Sequence, residues 1–290
     1  MKMSDILVIG GGPAGATAAI YGARGGKSVT LLYRDSGALG RAEAVGNYYG
    51  FPEPLSGEEL FRLGLEQAKN VGVEVIRTQV LSLGFQAEGL TAETANEIYC
   101  GKAVILATGT SRKQPNLLGL KEYDGMGVSY CAVCDGFFCR GKAVAVLGAG
   151  EYALHEAGVL LPLASQVTLL TGGEAVPENL PEGLLVNSQP IESLEGADGI
   201  LRGVRFRDGS FLETTRLFVA IGEAGSSDLA RKLGLVTDGN RIVTNEKMET
   251  NVPGLFSAGD CTGGLLQVAK AVSDGATAGL EALKYLRTQK

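Results

Sequence analysis

The chain has 290 residues, 45% hydrophobic and 20% charged, enough apolar material for two domains with separate cores. A net charge of −6 with no cluster of lysine and arginine argues against nucleic acid as a partner, and no run reaches the ~18 apolar residues of a membrane span. The 43 glycines gather at the ends of apolar runs instead of repeating, which excludes collagen-like and low-complexity chains.

Met1-Lys2-Met3-Ser4-Asp5 leads straight into a short apolar run, too short for the core of a secretory signal, so a cytoplasmic location is expected. Residues 5–9 are rich in β-branched side chains and end in glycine, which predicts a buried parallel strand. A small-residue helix over 16–23 and a strand over 28–32 complete a βαβ unit, with Gly10-x-Gly12-x-x-Gly15 at its first turn. Gly10 permits the tight turn, Gly12 removes a Cβ from the path of a pyrophosphate, and Gly15 lets helix and strand pack closely. The phosphate would sit on the helix N-terminus, where unpaired N–H groups favour an anion. The plain alternative is a glycine-rich structural turn. The acid that would bind a ribose is displaced, because Tyr33-Arg34 fill its slot and Asp35 comes slightly late.

Residues 47–54 form a loop rich in aromatics and proline. Leu60, Leu63, Leu65 and Ala68 predict a helix over 57–70, followed by a strand over 73–76, an antiparallel meander over 80–98, and a buried strand over 102–109. Residues 114–116 read as a linker. A second unit then repeats the first: a strand over 142–147, a glycine turn at Gly148 and Gly150, a helix over 152–161 and a strand over 166–170. Residues 201–206 and 210–213 read as a hairpin around Arg207-Asp208-Gly209, and 217–222 closes the unit. From about residue 240 the chain returns to the first domain, with a strand over 254–260 and a helix over 265–286.

Between the units lies Cys131-Ala132-Val133-Cys134-Asp135-Gly136. Five cysteines in a cytoplasmic chain indicate catalysis or metal binding rather than a disulfide framework. Cys-x-x-Cys closes a small ring, so disulfide and dithiol interconvert with little backbone motion, and the attacking species is the thiolate. Half of a zinc site, completed by Cys139 and His155, is the structural alternative. His155 has Glu151 one helical turn before it and reads as a helix-surface residue. It is the sole histidine, so nothing supports a Cys-His nucleophile. Cys100, Cys139 and Cys261 read as small packing residues.

Gly10 to Gly15, Ala107-Thr108-Gly109, Cys131 to Gly136, Phe218 to Gly222 and Leu255 to Asp260 occur in this order at suitable spacing. Over essentially its whole length the chain resembles the low-molecular-weight thioredoxin reductases. The resemblance implies an α/β fold of two Rossmann-like, three-layer ββα dinucleotide-binding domains, the second inserted in the first. The FAD-binding domain would comprise 1–112 and 240–290. A NAD(P)-binding-like domain carrying the cysteine pair would occupy 113–239. FAD would be held by Gly10, Gly12, Pro13, Ala14, Gly15, Asn47, Ala107, Thr108, Gly109, Gly259, Asp260, Gln267 and Val268, with Asp260 on the ribityl chain. Cys134 would face the flavin, Cys131 would attack the disulfide of a thioredoxin-like partner, and Asp135 would move the proton. A homodimer is implied, with hinges near residues 112–113 and 222–226 that let the two domains rotate.

The sequence departs from this pattern at the second nucleotide. NADPH-using members carry a His-Arg-Arg-x-x-x-Arg run that grips the 2′-phosphate. Here that position reads Leu170-Thr-Gly-Gly-Glu-Ala175, and Glu151 follows Gly150 where a pyrophosphate would lie. Gly148, Gly150 and Ala153 keep the turn without the discriminating side chains, which leaves NAD(P)H poorly supported. The pattern is closer to relatives fed by ferredoxin or another electron donor. An ordinary NADPH reductase, and a flavin-containing redox sensor without turnover, stand as alternatives.

Overall fold

The computed structural model describes residues 1–109, 115–222 and 226–289. The expected hinge positions at 112–113 and across 223–225 lie outside the described residues. The chain divides into two compact units, residues 1–111 with 225–290 and residues 112–224.

The first unit opens with β1 (Lys2–Ile9), whose last four residues are all buried. α1 (Pro13–Arg24) starts on a proline at its first turn, and six alanines and glycines line its buried face. β2 (Val29–Tyr33) follows, then the short α2 (Gly37–Gly40). Ser56 caps α3 (Gly57–Asn70) by accepting the Glu59 N–H, with Glu58 and Glu59 in the first turn and Lys69 in the last, as the helix dipole favours. β3 (Glu74–Arg77), β4 (Ser82–Gln86), β5 (Gly89–Glu93) and β6 (Ile98–Leu106) complete the N-terminal segment.

The second unit contains β7 (Val128–Ser129), α4 (Ala132–Asp135), a 3-10 turn at Gly136–Cys139, β8 (Ala143–Leu147), α5 (Glu151–Leu160) and β9 (Gln166–Leu170). β10 (Leu185–Asn187), β11 (Ile191–Ala197), β12 (Ile200–Phe206), β13 (Phe211–Glu213) and β14 (Leu217–Val219) follow. The chain then rejoins the first unit through α6 (Ser226–Lys232), β15 (Thr237–Asp238), β16 (Arg241–Ile242), β17 (Leu255–Ser257) and α7 (Val268–Thr288). The return comes earlier than residue 240, because α6 packs on β4 and β16 and β15 pairs with β16.

The fold is α/β with two Rossmann-like units. In the first, the sheet runs β3-β2-β1-β6, all parallel, with β17 parallel to β6 and the meander β5-β4 added antiparallel. α1 and α7 lie backbone to backbone: a Cβ on Gly275 would fall 2.1 Å from the Ala14 carbonyl oxygen, so only glycine allows this approach. In the second, β10-β9-β8-β14-β7 is wholly parallel. The expected hairpin is a three-stranded sheet, β11-β12-β13, to which β11 adds an unforeseen strand. Each unit has its own core, centred on Ile6, Val8, Leu31 and Ile105 in the first and on Leu147, Leu170, Val204 and Leu217 in the second. Among the described residues, no helix is long and apolar enough to cross a membrane.

Candidate active site

In the first unit the carboxyl ends of β1, β2, β6 and β17 finish together, with Ile9 opposite both Leu32 and Leu106 and Leu106 opposite Ser257. Ligands of open α/β sheets bind at this edge. Gly10 turns there with φ +111°, where a Cβ would lie 2.2 Å from the Ala107 carbonyl oxygen. Gly15 packs so tightly that a Cβ would lie 1.8 Å from the Gly10 carbonyl oxygen. Gly12 differs: a Cβ there meets nothing within 4 Å. It is the N-cap of α1, and no side chain caps the helix. The turn therefore presents backbone N–H groups to open space, the cradle that a pyrophosphate needs.

The structure gathers several of the expected flavin residues around this edge. Gly259, with φ +87°, comes so near Ala14 that its Cβ would lie 2.8 Å from that of Ala14. Asn47 donates from Nδ2 to Gln267 Oε1 at 2.9 Å, tying the aromatic loop to the N-cap of α7 just before Val268. Burial pushes the Asp260 carboxyl up, reinforced by nearby Asp274 and opposed by Lys270. The Gly259–Gly263 turn is held by a clasp that local patterns do not reveal. Lys270 Nζ donates to the Gly259 and Gly263 carbonyls at 3.0 and 2.7 Å and to Thr262 Oγ1 at 2.9 Å, and pairs with Asp274 at 2.6 Å. Asp274 Oδ2 in turn accepts the Gly259 N–H. Asp35 accepts the Gly37 N–H and pairs with Arg34, so it is engaged in its own turn.

In the second unit Cys131 and Cys134 form a disulfide, with their Cα atoms 5.3 Å apart. Cys131 is buried and is the N-cap of α4, its sulfur accepting the Cys134 N–H at 3.2 Å. Cys134 is exposed. Three groups missed in the sequence fix the turn. Ser129 Oγ donates to Asp135 Oδ2 at 2.6 Å and accepts the Cys131 N–H. Arg216 lies 3.6 Å from the same Asp135 oxygen. Glu156, on α5 and 1% exposed, accepts the Ala132 N–H at 2.7 Å. Phe137 and Phe138, 65% and 59% exposed, follow the pair directly, with Arg140 over the first ring and Arg216 near the second.

Cys100, Cys139 and Cys261 are free and buried, and burial raises each thiol away from thiolate formation. Cys139 hydrogen-bonds to the Asp135 carbonyl. His155 is half-buried, not a surface residue, and its Nε2 atom is wholly enclosed.

The second glycine turn repeats the first. Gly148 has φ +151°, with a Cβ position 2.3 Å from the Ala220 carbonyl oxygen, and Gly150 opens on free space at the start of α5. Ala153 stands where Gly15 stands in the first turn, and Glu151 is exposed in the first turn of α5. The loop after β9 closes on itself, Thr171 Oγ1 donating to the Glu174 carbonyl at 2.7 Å.

The sequence profile described as pyridine nucleotide-disulphide oxidoreductase matches residues 4–275. The chain belongs to this family. It is similar to the thioredoxin reductase of Aquifex aeolicus, 35% identical over 309 aligned positions that cover 100% of this chain and 95% of that one. The atypical thioredoxin reductase TRi of Desulfovibrio vulgaris Hildenborough is 38% identical, covers 98% of both chains and superposes with a TM-score of 0.91. A ferredoxin-flavin thioredoxin reductase from Clostridium acetobutylicum is 32% identical over 99% of both chains, with a TM-score of 0.75. The protein is a thioredoxin reductase-like flavoprotein disulfide reductase, an oxidoreductase whose family cofactor is FAD. The open cradle at Gly12 and the glycine-only approaches at Gly10 and Gly15 fit that cofactor.

Proposed function

We propose that the protein carries electrons from a reduced ferredoxin, through FAD held by the first unit, to the Cys131–Cys134 disulfide, and from that dithiol to a thioredoxin-like protein. The observation that carries this reading is the disulfide itself, with Asp135 anchored beside it and two exposed phenylalanines next to it. FAD converts between electron donors and two-electron thiol chemistry. The residues that would hold it are Gly10, Gly12, Pro13, Ala14 and Gly15 on the phosphates, with Asn47, Ala107, Thr108, Gly109, Gly259, Asp260, Gln267 and Val268 around the remainder.

The protein's own groups divide the thiol work. Reduction breaks the S–S bond with two electrons and two protons. Cys131 Sγ, capped by the Cys134 N–H, is the better stabilised thiolate and attacks the partner's disulfide. Cys134 then resolves the mixed disulfide. Asp135, held by Ser129 and Arg216, gives and takes the proton. Phe137, Phe138 and Val133 offer an apolar rim on which a partner can desolvate its own redox site.

Three observations favour ferredoxin over NADPH. The loop after β9 carries no arginine, and Glu151 places a negative charge beside the Gly150 cradle. A relative of nearly the same length is named for ferredoxin and flavin. The second reading, an NADPH-dependent reductase, is supported by the preserved Gly148 and Gly150 geometry. Anaerobic mixing of the yellow protein with NADPH, NADH and reduced ferredoxin decides between them. Rapid flavin bleaching by ferredoxin alone is expected, whereas bleaching by stoichiometric NADPH would overturn the donor assignment. A cytoplasmic homodimer completes the reading, and sedimentation equilibrium tests the assembly.

A further inference from the structure

Glu156 is 1% exposed, and its Oε2 accepts the N–H of Ala132, the residue bonded directly to the Cys131 carbonyl carbon. A carboxylate is kept in such a place against a large desolvation cost. Among the described residues, the elements packed most closely against α5 bring the following ionisable groups. β8 and β9 contain no ionisable residue, α4 contributes Asp135 and the cysteine pair, and the 3-10 turn contributes Cys139. On α5 itself, His155 is adjacent and Glu151 is exposed. Asp135 is already joined to Ser129 and Arg216. The Ala132 amide, the first N–H of the turn that Cys131 caps, is bonded to this carboxylate.

We propose that Glu156 is a positioning residue that makes the Cys131–Cys134 pair a stronger reductant. This rests on the disulfide-reductase reading above. The carboxylate holds a negative charge against the backbone of the turn that Cys131 caps. That charge disfavours the thiolate, destabilises the dithiol and lowers the reduction potential of the pair. A less stabilised thiolate is also the more nucleophilic one.

The test is anaerobic equilibration of the full-length holoprotein with glutathione buffers at pH 7, followed by thiol trapping and intact-mass analysis. The balanced reaction is disulfide plus two glutathione thiols giving dithiol plus glutathione disulfide, so its equilibrium constant reports the pair directly. Glu156→Gln keeps an acceptor for Ala132 but removes the charge. Its equilibrium constant should rise roughly tenfold toward dithiol, about 30 mV for two electrons. Glu156→Asp draws the carboxylate back by one methylene and should shift the constant in the same direction by less. A purely packing role would reverse that order, because Asp leaves the larger void. Equal constants for all three proteins, or Glu156→Asp exceeding Glu156→Gln, would overturn the proposal. Should the Gln variant not fold, a Glu156→Asp constant equal to or below wild type would overturn it. Thioredoxin takes no part in this assay. A clear Glu156→Gln shift in a protein that reduces no thioredoxin would sink the partner assignment and leave the role of Glu156 standing.

Discussion

Two aspartates have different surroundings in the two units. Burial raises the Asp260 carboxyl above its ordinary value, so folding the apoprotein is less favourable with this carboxylate charged than with it protonated. Its contribution to stability is full below the unfolded pKa, near ~3.9, and declines as pH rises through the higher folded value. Asp260→Asn should therefore melt above wild-type apoprotein at pH 7, with the gap closing toward about pH 4, while the variant binds FAD more weakly. Thermal melts across pH and flavin titration together check this trade between stability and function. Asp135 sits instead between Ser129 and Arg216. Asp135→Asn should leave FAD content unchanged and lower thioredoxin-reducing turnover by about 10²-fold, the ordinary yield of a positioned acid-base group. The cysteines divide likewise: Cys134→Ser should trap a mixed disulfide with thioredoxin through Cys131, and Cys131→Ser should not. Non-reducing mass analysis reads the adduct, and the reverse pattern would assign the attack to the exposed Cys134. At this scale the sequence reveals what is contiguous. The cysteine pair and Asp135 stand within five residues, whereas Ser129, Glu156 and Arg216 meet them only through the β7, α5 and β14 regions. Periodicity carries no record of such pairings.

At the scale of elements, the first glycine turn separates folding from binding. Gly15→Ala would drive a Cβ to 1.8 Å from the Gly10 carbonyl oxygen, and α1 must move off β1 to relieve it. A loss of about 3 kcal/mol of stability is expected, along with the flavin. Gly12→Ala meets nothing within 4 Å and keeps an allowed φ of −67°, so the apoprotein should melt like wild type. Its Cβ would stand where the pyrophosphate approaches and should weaken FAD at least about tenfold, or ~1.4 kcal/mol. Melting curves of the apoproteins beside the ratio of flavin to protein absorbance distinguish the two. β8, an unbroken apolar run, and β9, whose last four residues are buried, are readable to within a residue because burial on both faces leaves no other pattern. β11 is not. Its register with β12 shifts between Ile191 and Ser193 and again between Glu195 and Gly196, and each shift breaks the period of two that marks a strand. The return of the chain at 225 was hidden for a related reason. α6 is seven residues long and β15 and β16 only two each, too short to show a period.

The whole molecule joins two cores that share one backbone but different ligands. The first core is built from both chain ends around Ile6, Leu31, Ile105 and Leu283, and its unit contains every residue proposed above to hold FAD. The second is built from one continuous segment around Leu147, Leu170 and Phe206, and it holds the disulfide. A ligand that binds only the folded form stabilises by RT ln(1 + [L]/Kd), about 2.7 kcal/mol at a hundredfold excess over Kd. A disulfide closing a four-residue ring removes chain entropy equivalent to about 2 kcal/mol. Calorimetry of the holoprotein should then resolve two transitions. Removing FAD should lower only the one belonging to the first core. Reducing Cys131–Cys134 in the apoprotein should lower only the other, by roughly 10 °C for a unit of about a hundred residues. A single transition that moves with both treatments would mean that the cores unfold as one. The flavin and thiol sites would then be coupled through stability as well as through electron transfer.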